Sequence, residues 1–172
     1  KAKDRKDILT GSIEKSISSN QGVAEMHSIV FSEITIPWEP DLMEKWMKEF
    51  YAKWMSIPYK KDRKEYKEHP ENFGTSMLGI DEEEFDHLNQ TLDTPVSKND
   101  FLAGKVCIVY RNGVELADKD LIGKTVTCTL YRNLKKSKSF TVSGVTDDSY
   151  YTALLGYPPT LIVSDQVVKA FD

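Results

Sequence analysis

Apolar residues recur every four positions in residues 41–56, the clearest helical pattern of the chain. They form two adjacent rows, one of Leu42, Trp46, Phe50 and Trp54 and one of Met43, Met47, Tyr51 and Met55. Charged residues cover the other side of this segment, and prolines stand at both of its ends. The pattern therefore predicts an amphipathic helix that starts after Pro40 and ends before Pro58.

Other segments alternate with a period of two or are continuously apolar, and these patterns are typical of strands. We predict strands at residues 28–36, 74–80, 105–110, 125–131, 139–146 and 160–163. In the fourth of these, Val126, Cys128 and Leu130 alternate with threonines, as expected of a half-buried strand. The segments 125–131 and 139–146 are predicted to form a hairpin joined by a polar loop at residues 132–138.

Four further helices are predicted, at residues 7–20, 81–92, 97–102 and 165–171. Asp81 and Glu84 resemble a capping box at the start of the second, and Gly104 closes the third. The strongly charged stretch at residues 59–72 is interpreted as a solvated helix extension or a mobile loop.

The composition indicates a globular chain with one domain. Of the 172 residues, 40% are hydrophobic, and the net charge is -4, which provides no overall attraction for nucleic acid. No run of about 20 apolar residues is present. Because the chain begins at Lys1 without a Met or an apolar signal segment, we expect it to be part of a longer protein.

The motifs with catalytic or ligand-binding potential are incomplete. Gly123-Lys124-Thr125 ends like a phosphate-binding loop, but Asp118 stands where that motif needs a glycine. The adjacent carboxylates Asp147 and Asp148 follow a strand, where Asp is a common turn residue. The three histidines fall in different predicted elements. We therefore predict no catalytic residue, no metal site and no bound cofactor.

Cys107 and Cys128 lie in two predicted strands, without the spacing of a zinc site. They are interpreted as two small buried side chains, and a disulfide between neighbouring strands is left open.

The apolar face of the helix at 41–56 also has two interpretations. Core packing is the simpler one. A face rich in Met and Trp also suits an adaptable partner or ligand surface, whose residues would be Trp46, Met47, Trp54 and Met55.

Five segments, in order along the chain, resemble the extracellular domain of FtsX-like, MacB-like ABC transporter permeases. They are Gly79-Ile80-Asp81 followed by Phe85, Phe101-x-x-Gly104 before a strand, the turn at 120–126 (Asp-Leu-Ile-Gly-Lys-Thr-Val), the strand at 140–145 (Phe-Thr-Val-Ser-Gly-Val), and the strand at 160–164 before a short helix. The resemblance covers the C-terminal half closely, and the first half in layout alone.

This resemblance implies an α+β fold with two lobes. A β-α-β lobe similar to the MacB porter subdomain would comprise residues 22–80 plus 157–172, and a small β-rich lobe would comprise residues 81–156, all within one extracellular domain spanning residues 1–172.

The function implied is non-enzymatic, coupling ATP-driven movement of membrane helices to export of a substrate or to force on a partner. The implied partners are the membrane-embedded remainder of the permease and a separate ATP-hydrolysing subunit or domain. A second permease copy and a peptide, lipid or protein ligand are left open, and the location is the outer face of the cell membrane. The alternative is a stand-alone extracellular binding module, or an enzyme with an unfamiliar site.

Overall fold

A computed structural model of the chain describes residues 17, 19–20, 22, 29–38, 40–52, 74–111, 116–148, 150–151 and 160–171. Most of the predicted first helix, the charged stretch at 59–72 and the end of the Trp/Met helix lie outside these residues.

The described residues form six strands and four α-helices, most of them close to the positions that the hydrophobic pattern predicts. The strands are β1 (Ile29–Thr35), β2 (Gly74–Ile80), β3 (Val106–Tyr110), β4 (Thr125–Leu130), β5 (Asn133–Thr146) and β6 (Thr160–Ser164). The helices are α1 (Pro40–Phe50), α2 (Glu82–Thr91), α3 (Lys98–Leu102) and α4 (Asp165–Phe171), and Asp118–Asp120 adds a 3-10 turn.

The six strands close into one barrel in the order β1-β2-β6-β3-β5-β4. Parallel pairing joins β2 to β6 and β3 to β5, and the remaining neighbours are antiparallel. The closing contact between β1 and β4 is short, with Ile34 opposite Leu130 and Thr35 opposite Thr129. Closure gives every described strand a neighbour on both sides, and the β1–β4 seam is the shortest of these pairings.

The expected two-lobed α+β fold is wrong. Strands that were expected in different lobes pair directly, because β6 lies between β2 and β3, and β4 closes the barrel against β1. The predicted elements were largely correct, but their pairing joins segments that are far apart in the sequence. Local patterns carry little information about such pairing.

The barrel interior holds the larger of two hydrophobic cores. Alternate residues of the strands face inward, among them Ile34, Met77, Cys107, Val126, Cys128, Phe140 and Val163, and all of these are buried. Trp46 of α1 and Val168 of α4 belong to the same core. The two helices therefore extend the interior core beyond the strands.

A second core covers the outer face of β2, β6 and β3. Leu78, Ile108 and Ile162 point outward from these strands and pack beneath Phe85 of α2 and Phe101 of α3. The two phenylalanine rings are stacked, with their centroids 4.2 Å apart. Both faces of β6 are therefore covered, and all five of its residues are buried. This explains why Leu161, Ile162 and Val163 follow one another without an alternating polar residue.

The helices α2 and α3 begin as the sequence predicts. The Asp81 side chain accepts a hydrogen bond from the Glu84 N–H at 2.9 Å, and Ser97 caps α3 through the Asp100 N–H. Gly104 and Gly123 have φ values of 65° and 84°, a region that L side chains rarely adopt.

The predicted loop at 132–138 is wrong, since β5 already begins at Asn133. The first residues of this strand are exposed, so no buried apolar side chains mark the segment as a strand.

Candidate functional site

The predicted partner surface on α1 is described in part. Trp46 is 1% exposed and lies in the interior core, with its ring centroid 6.2 Å from that of Trp38. Met47 is half-buried and packs against the same core. Trp54 and Met55 lie outside the described residues. Trp46 is therefore a core residue. A partner surface formed by Met47, Trp54 and Met55 stays a prediction.

The guanidinium group of Arg111 ties together three chain segments where β3 and β5 end. Its Nε and Nη2 donate to Asp147 Oδ2 at 2.9 and 2.6 Å, and its Nη1 donates to Asp118 Oδ1 at 2.8 Å. Nη1 also donates to the Leu116 carbonyl. The guanidinium is mostly shielded, whereas its two carboxylate partners are partly exposed. We call Arg111, Leu116, Asp118 and Asp147 the arginine brace.

Asp148, adjacent to the brace, has a different role from Asp147. Its carboxylate accepts from the Tyr150 N–H at 2.9 Å, and its own N–H donates to Thr146 Oγ1 at 3.1 Å. One carboxylate of the pair thus holds Arg111, while the other stabilises a turn. Each has its own structural partner, and the two are not directed at a common point.

A buried tyrosine–carboxylate pair lies on the outer side of the barrel. The Tyr151 hydroxyl donates to Glu84 Oε1 at 2.6 Å, and both residues are buried. Burial, with the Glu84 hydrogen bond and charge, raises the pKa of Tyr151 well above its ordinary value. Sequence reasoning missed this pair because Tyr151 follows no periodic pattern and is 67 residues from Glu84.

The two cysteines are free and buried. Their strands are not neighbours, since β5 lies between β3 and β4. Burial raises the pKa of Cys107 strongly and that of Cys128 to about 11. These thiols are therefore protonated at neutral pH and are weak nucleophiles and metal ligands. The interpretation as small buried side chains is confirmed, and the alternative of a disulfide is wrong.

A shallow groove of about 310 Å³ lies between α3 and α4. Leu102, Val167, Ala170 and Phe171 form apolar walls, and Lys138 of β5 brings an ammonium group to it. That ammonium lies 5.5 Å from the centre of the Phe140 ring. Gln166 also lines the groove, so its walls combine apolar and polar groups.

The start of β5 carries the most exposed large apolar side chain of the described residues. Leu134 is 71% exposed and Tyr131 is 55% exposed, and the cations Arg132, Lys135 and Lys136 lie beside them. We call these five residues the hairpin tip. Its chemistry is that of a surface contact: cations and apolar groups presented together to the outside.

Among the described residues, no three or more His, Cys, Asp and Glu side chains form a group that could hold a metal ion. None of the described helices combines the length and the apolar character needed to cross a membrane.

No family model matches the chain, and neither the curated proteins nor the solved structures contain a significant match to it.

Proposed function

We propose that this chain is a non-enzymatic extracellular domain of an FtsX-like, MacB-like ABC transporter permease. One observation carries the proposal: four of the five segments that resemble this family contact one another in two pairs within the barrel. The proposal uses those segments and the contacts between them, and does not use the two-lobed fold.

The turn at 120–126 and the strand at 140–145 make the first such pair. The Gly123 N–H donates to the Val142 carbonyl at 2.8 Å, and the Val142 N–H donates to the Lys124 carbonyl at 2.9 Å. Val126 then lies opposite Phe140 in the β4–β5 ladder. The glycine of this turn thus has a definite structural role, because its φ of 84° allows the turn that places β4 against β5.

The segment around Gly79 and the closing segment at 160–164 make the second pair. Gly79 lies opposite Val163 in the parallel β2–β6 ladder. A Cβ at position 79 would lie 2.7 Å from the Asp165 Cα, so only glycine lets α4 pack this closely on β2. The two ends of the resemblance are therefore parts of one packing unit.

The closed barrel suits a mechanical role. A closed barrel that is filled by one interior core and tied by the arginine brace deforms less easily than an open sheet. In the proposed role, a separate ATP-hydrolysing subunit drives the membrane-embedded remainder of the permease, and the barrel moves as one body. That movement would displace a bound peptide, lipid or protein ligand, or exert force on a partner protein.

The location is tested with an impermeant maleimide on intact cells that make the full-length protein. Gln90 is exposed on α2, so Gln90→Cys offers an accessible thiol, while Cys107 and Cys128 are buried. We expect labelling of Gln90→Cys in intact cells, with the unaltered protein as the unlabelled control. Labelling that requires lysis of the cells would contradict an extracellular location.

The permease assignment has a separate test. We expect an apolar segment of about 20 residues shortly before Lys1 and another after Asp172, and an ATP-hydrolysing subunit that copurifies with the protein in detergent. If the protein is secreted free of membranes and ATPase, the alternative of a stand-alone binding module or enzyme replaces this proposal.

A further inference from the structure

The β4–β5 hairpin is strongly basic in an otherwise acidic chain. Residues 121–146 contain no Asp or Glu and five basic residues: Lys124, Arg132, Lys135, Lys136 and Lys138. Since the whole chain has a net charge of -4, the remaining residues carry -9. Exposed charges are screened over about 8 Å at physiological salt, so a surface that contacts the hairpin experiences mainly its positive charge.

The shape of the hairpin tip adds to this charge. In the ladder, Thr129 lies opposite Ser137 but Leu130 lies opposite Asn133, so residues 134–136 bulge out of the pairing. This bulge carries Leu134, the most exposed large apolar side chain of the described residues. A bulge in the ladder that leaves an aliphatic side chain exposed is poorly suited to packing within the domain.

Arg132 and Lys135 are the two tip cations that the domain engages least. Arg132 is 77% exposed and its Nε lies 3.9 Å from the nearest Glu33 oxygen, at the limit of an ion pair. Lys136 is exposed and donates a hydrogen bond to the Phe171 carbonyl at 3.0 Å. Lys135 is exposed. The tip therefore presents its charge to whatever approaches it.

We propose that the hairpin tip binds the surface of an anionic lipid bilayer, with Leu134 and Tyr131 entering the interface and Arg132 and Lys135 contacting lipid phosphates. Apolar and aromatic groups flanked by Lys and Arg are the chemistry of interfacial membrane contacts. An acidic protein would be a poorer fit, because a stable protein interface needs about 800 Å² from each partner and the tip offers five residues. The proposal stands on the hairpin alone and does not depend on the permease assignment.

The test is cosedimentation of the 172-residue chain with vesicles, either of pure phosphatidylcholine or with 40% phosphatidylglycerol added. We expect sedimentation with the anionic vesicles and little with the neutral ones. Lys135→Gln should lower the partition coefficient about fivefold. Leu134→Ser should lower the partition coefficient about tenfold, because the variant has no aliphatic side chain to transfer from water into the bilayer interface.

Two matched variants serve as controls. Ile122→Ser removes another exposed apolar side chain within residues 121–146 but away from the hairpin tip. Lys119→Gln removes an exposed cation outside residues 121–146. Both should bind anionic vesicles as the parent chain does, and circular dichroism should show the same fold for all four variants.

Three results would overturn the proposal. No sedimentation with anionic vesicles would leave an acidic protein surface as the occupant of the tip. Equal losses for Leu134→Ser and Ile122→Ser, or for Lys135→Gln and Lys119→Gln, would place the binding elsewhere. A loss with Lys135→Gln but none with Leu134→Ser would reduce the contact to charge adsorption without insertion. A failure of any kind here leaves the maleimide result untouched, so the two proposals fail separately.

Discussion

The two ends of strand β5 use charge in opposite ways. At its start, Arg132 and Lys135 are presented to solvent beside the exposed Leu134. At its end, Asp147 is held by two hydrogen bonds from Arg111. The charge at the end of β5 is therefore paired within the domain, whereas the charges at its start are directed to solvent.

This difference separates stability from recognition. Three acceptors satisfy the shielded guanidinium of Arg111, so its contacts are strong and oriented. Arg132 reaches Glu33 at 3.9 Å in full solvent, a geometry that contributes little to stability. Substitutions at the two ends should therefore affect different properties of the protein.

The largest effect is expected at the arginine brace. Arg111→Met removes the donors that hold Asp118, Asp147 and the Leu116 carbonyl, and should lower the free energy of unfolding by about 2–3 kcal/mol. The partial exposure of both carboxylates keeps this value below that of a fully buried pair. Urea unfolding followed by circular dichroism measures it.

Arg132→Met is the matched control at the other end of β5. It should change the free energy of unfolding by less than about 0.5 kcal/mol. If Arg111→Met and Arg132→Met lower the free energy of unfolding by similar amounts, the two ends of β5 do not differ in their contribution to stability.

A smaller loss is expected at the buried tyrosine–carboxylate pair near the brace. Tyr151→Phe removes the hydroxyl that donates to the buried Glu84 carboxylate. This should lower the free energy of unfolding by about 1–2 kcal/mol. Tyr150→Phe is the matched control, since Tyr150 is exposed and contacts Tyr151 edge-on. If Tyr150→Phe is as destabilising as Tyr151→Phe in the same urea experiment, the buried hydrogen bond is not the cause.

The same pair predicts an alkaline sensitivity. The folded state raises the pKa of Tyr151 above its ordinary value of 10.0, so the unfolded chain loses this proton at lower pH than the folded one. The stabilisation is complete below about pH 10 and is lost as pH rises above it. Stability measured from pH 8 to 11 should fall more steeply for the parent chain than for Tyr151→Phe, and parallel curves would count against the pair.

The smallest effect on stability is expected at the hairpin tip. The double variant Leu134→Ser, Lys135→Gln should leave the free energy of unfolding within about 0.5 kcal/mol of the parent value, because both side chains are exposed. Its vesicle binding should nevertheless be almost abolished. A loss of stability as large as that of Arg111→Met would show that the tip is part of the packing.

The sequence carried most of the information about local structure. Period-four rows predicted α1, the Asp81 and Ser97 caps predicted where α2 and α3 begin, and the predicted strand at 74–80 has the bounds of β2. Each of these signals depends on residues a few positions apart, and such signals survive in any tertiary arrangement.

The barrel and its polar contacts could not be predicted in this way. Closure depends on Ile34 meeting Leu130, and the arginine brace on Arg111 meeting Asp147 36 residues later. The exposed start of β5 has no apolar alternation, so its sequence predicts a loop there. The Trp46 face was ambiguous for a different reason, since an apolar helix face looks the same whether the barrel or a partner covers it.

Hydrogen exchange on the chain with and without anionic vesicles tests the contrast between the two ends of β5 most directly. We expect vesicles to slow exchange of amides at residues 131–136 and to leave those at 111, 116–118 and 147–151 unchanged. Protection at the brace, or none at the tip, would contradict the assignment of recognition to one end and bracing to the other.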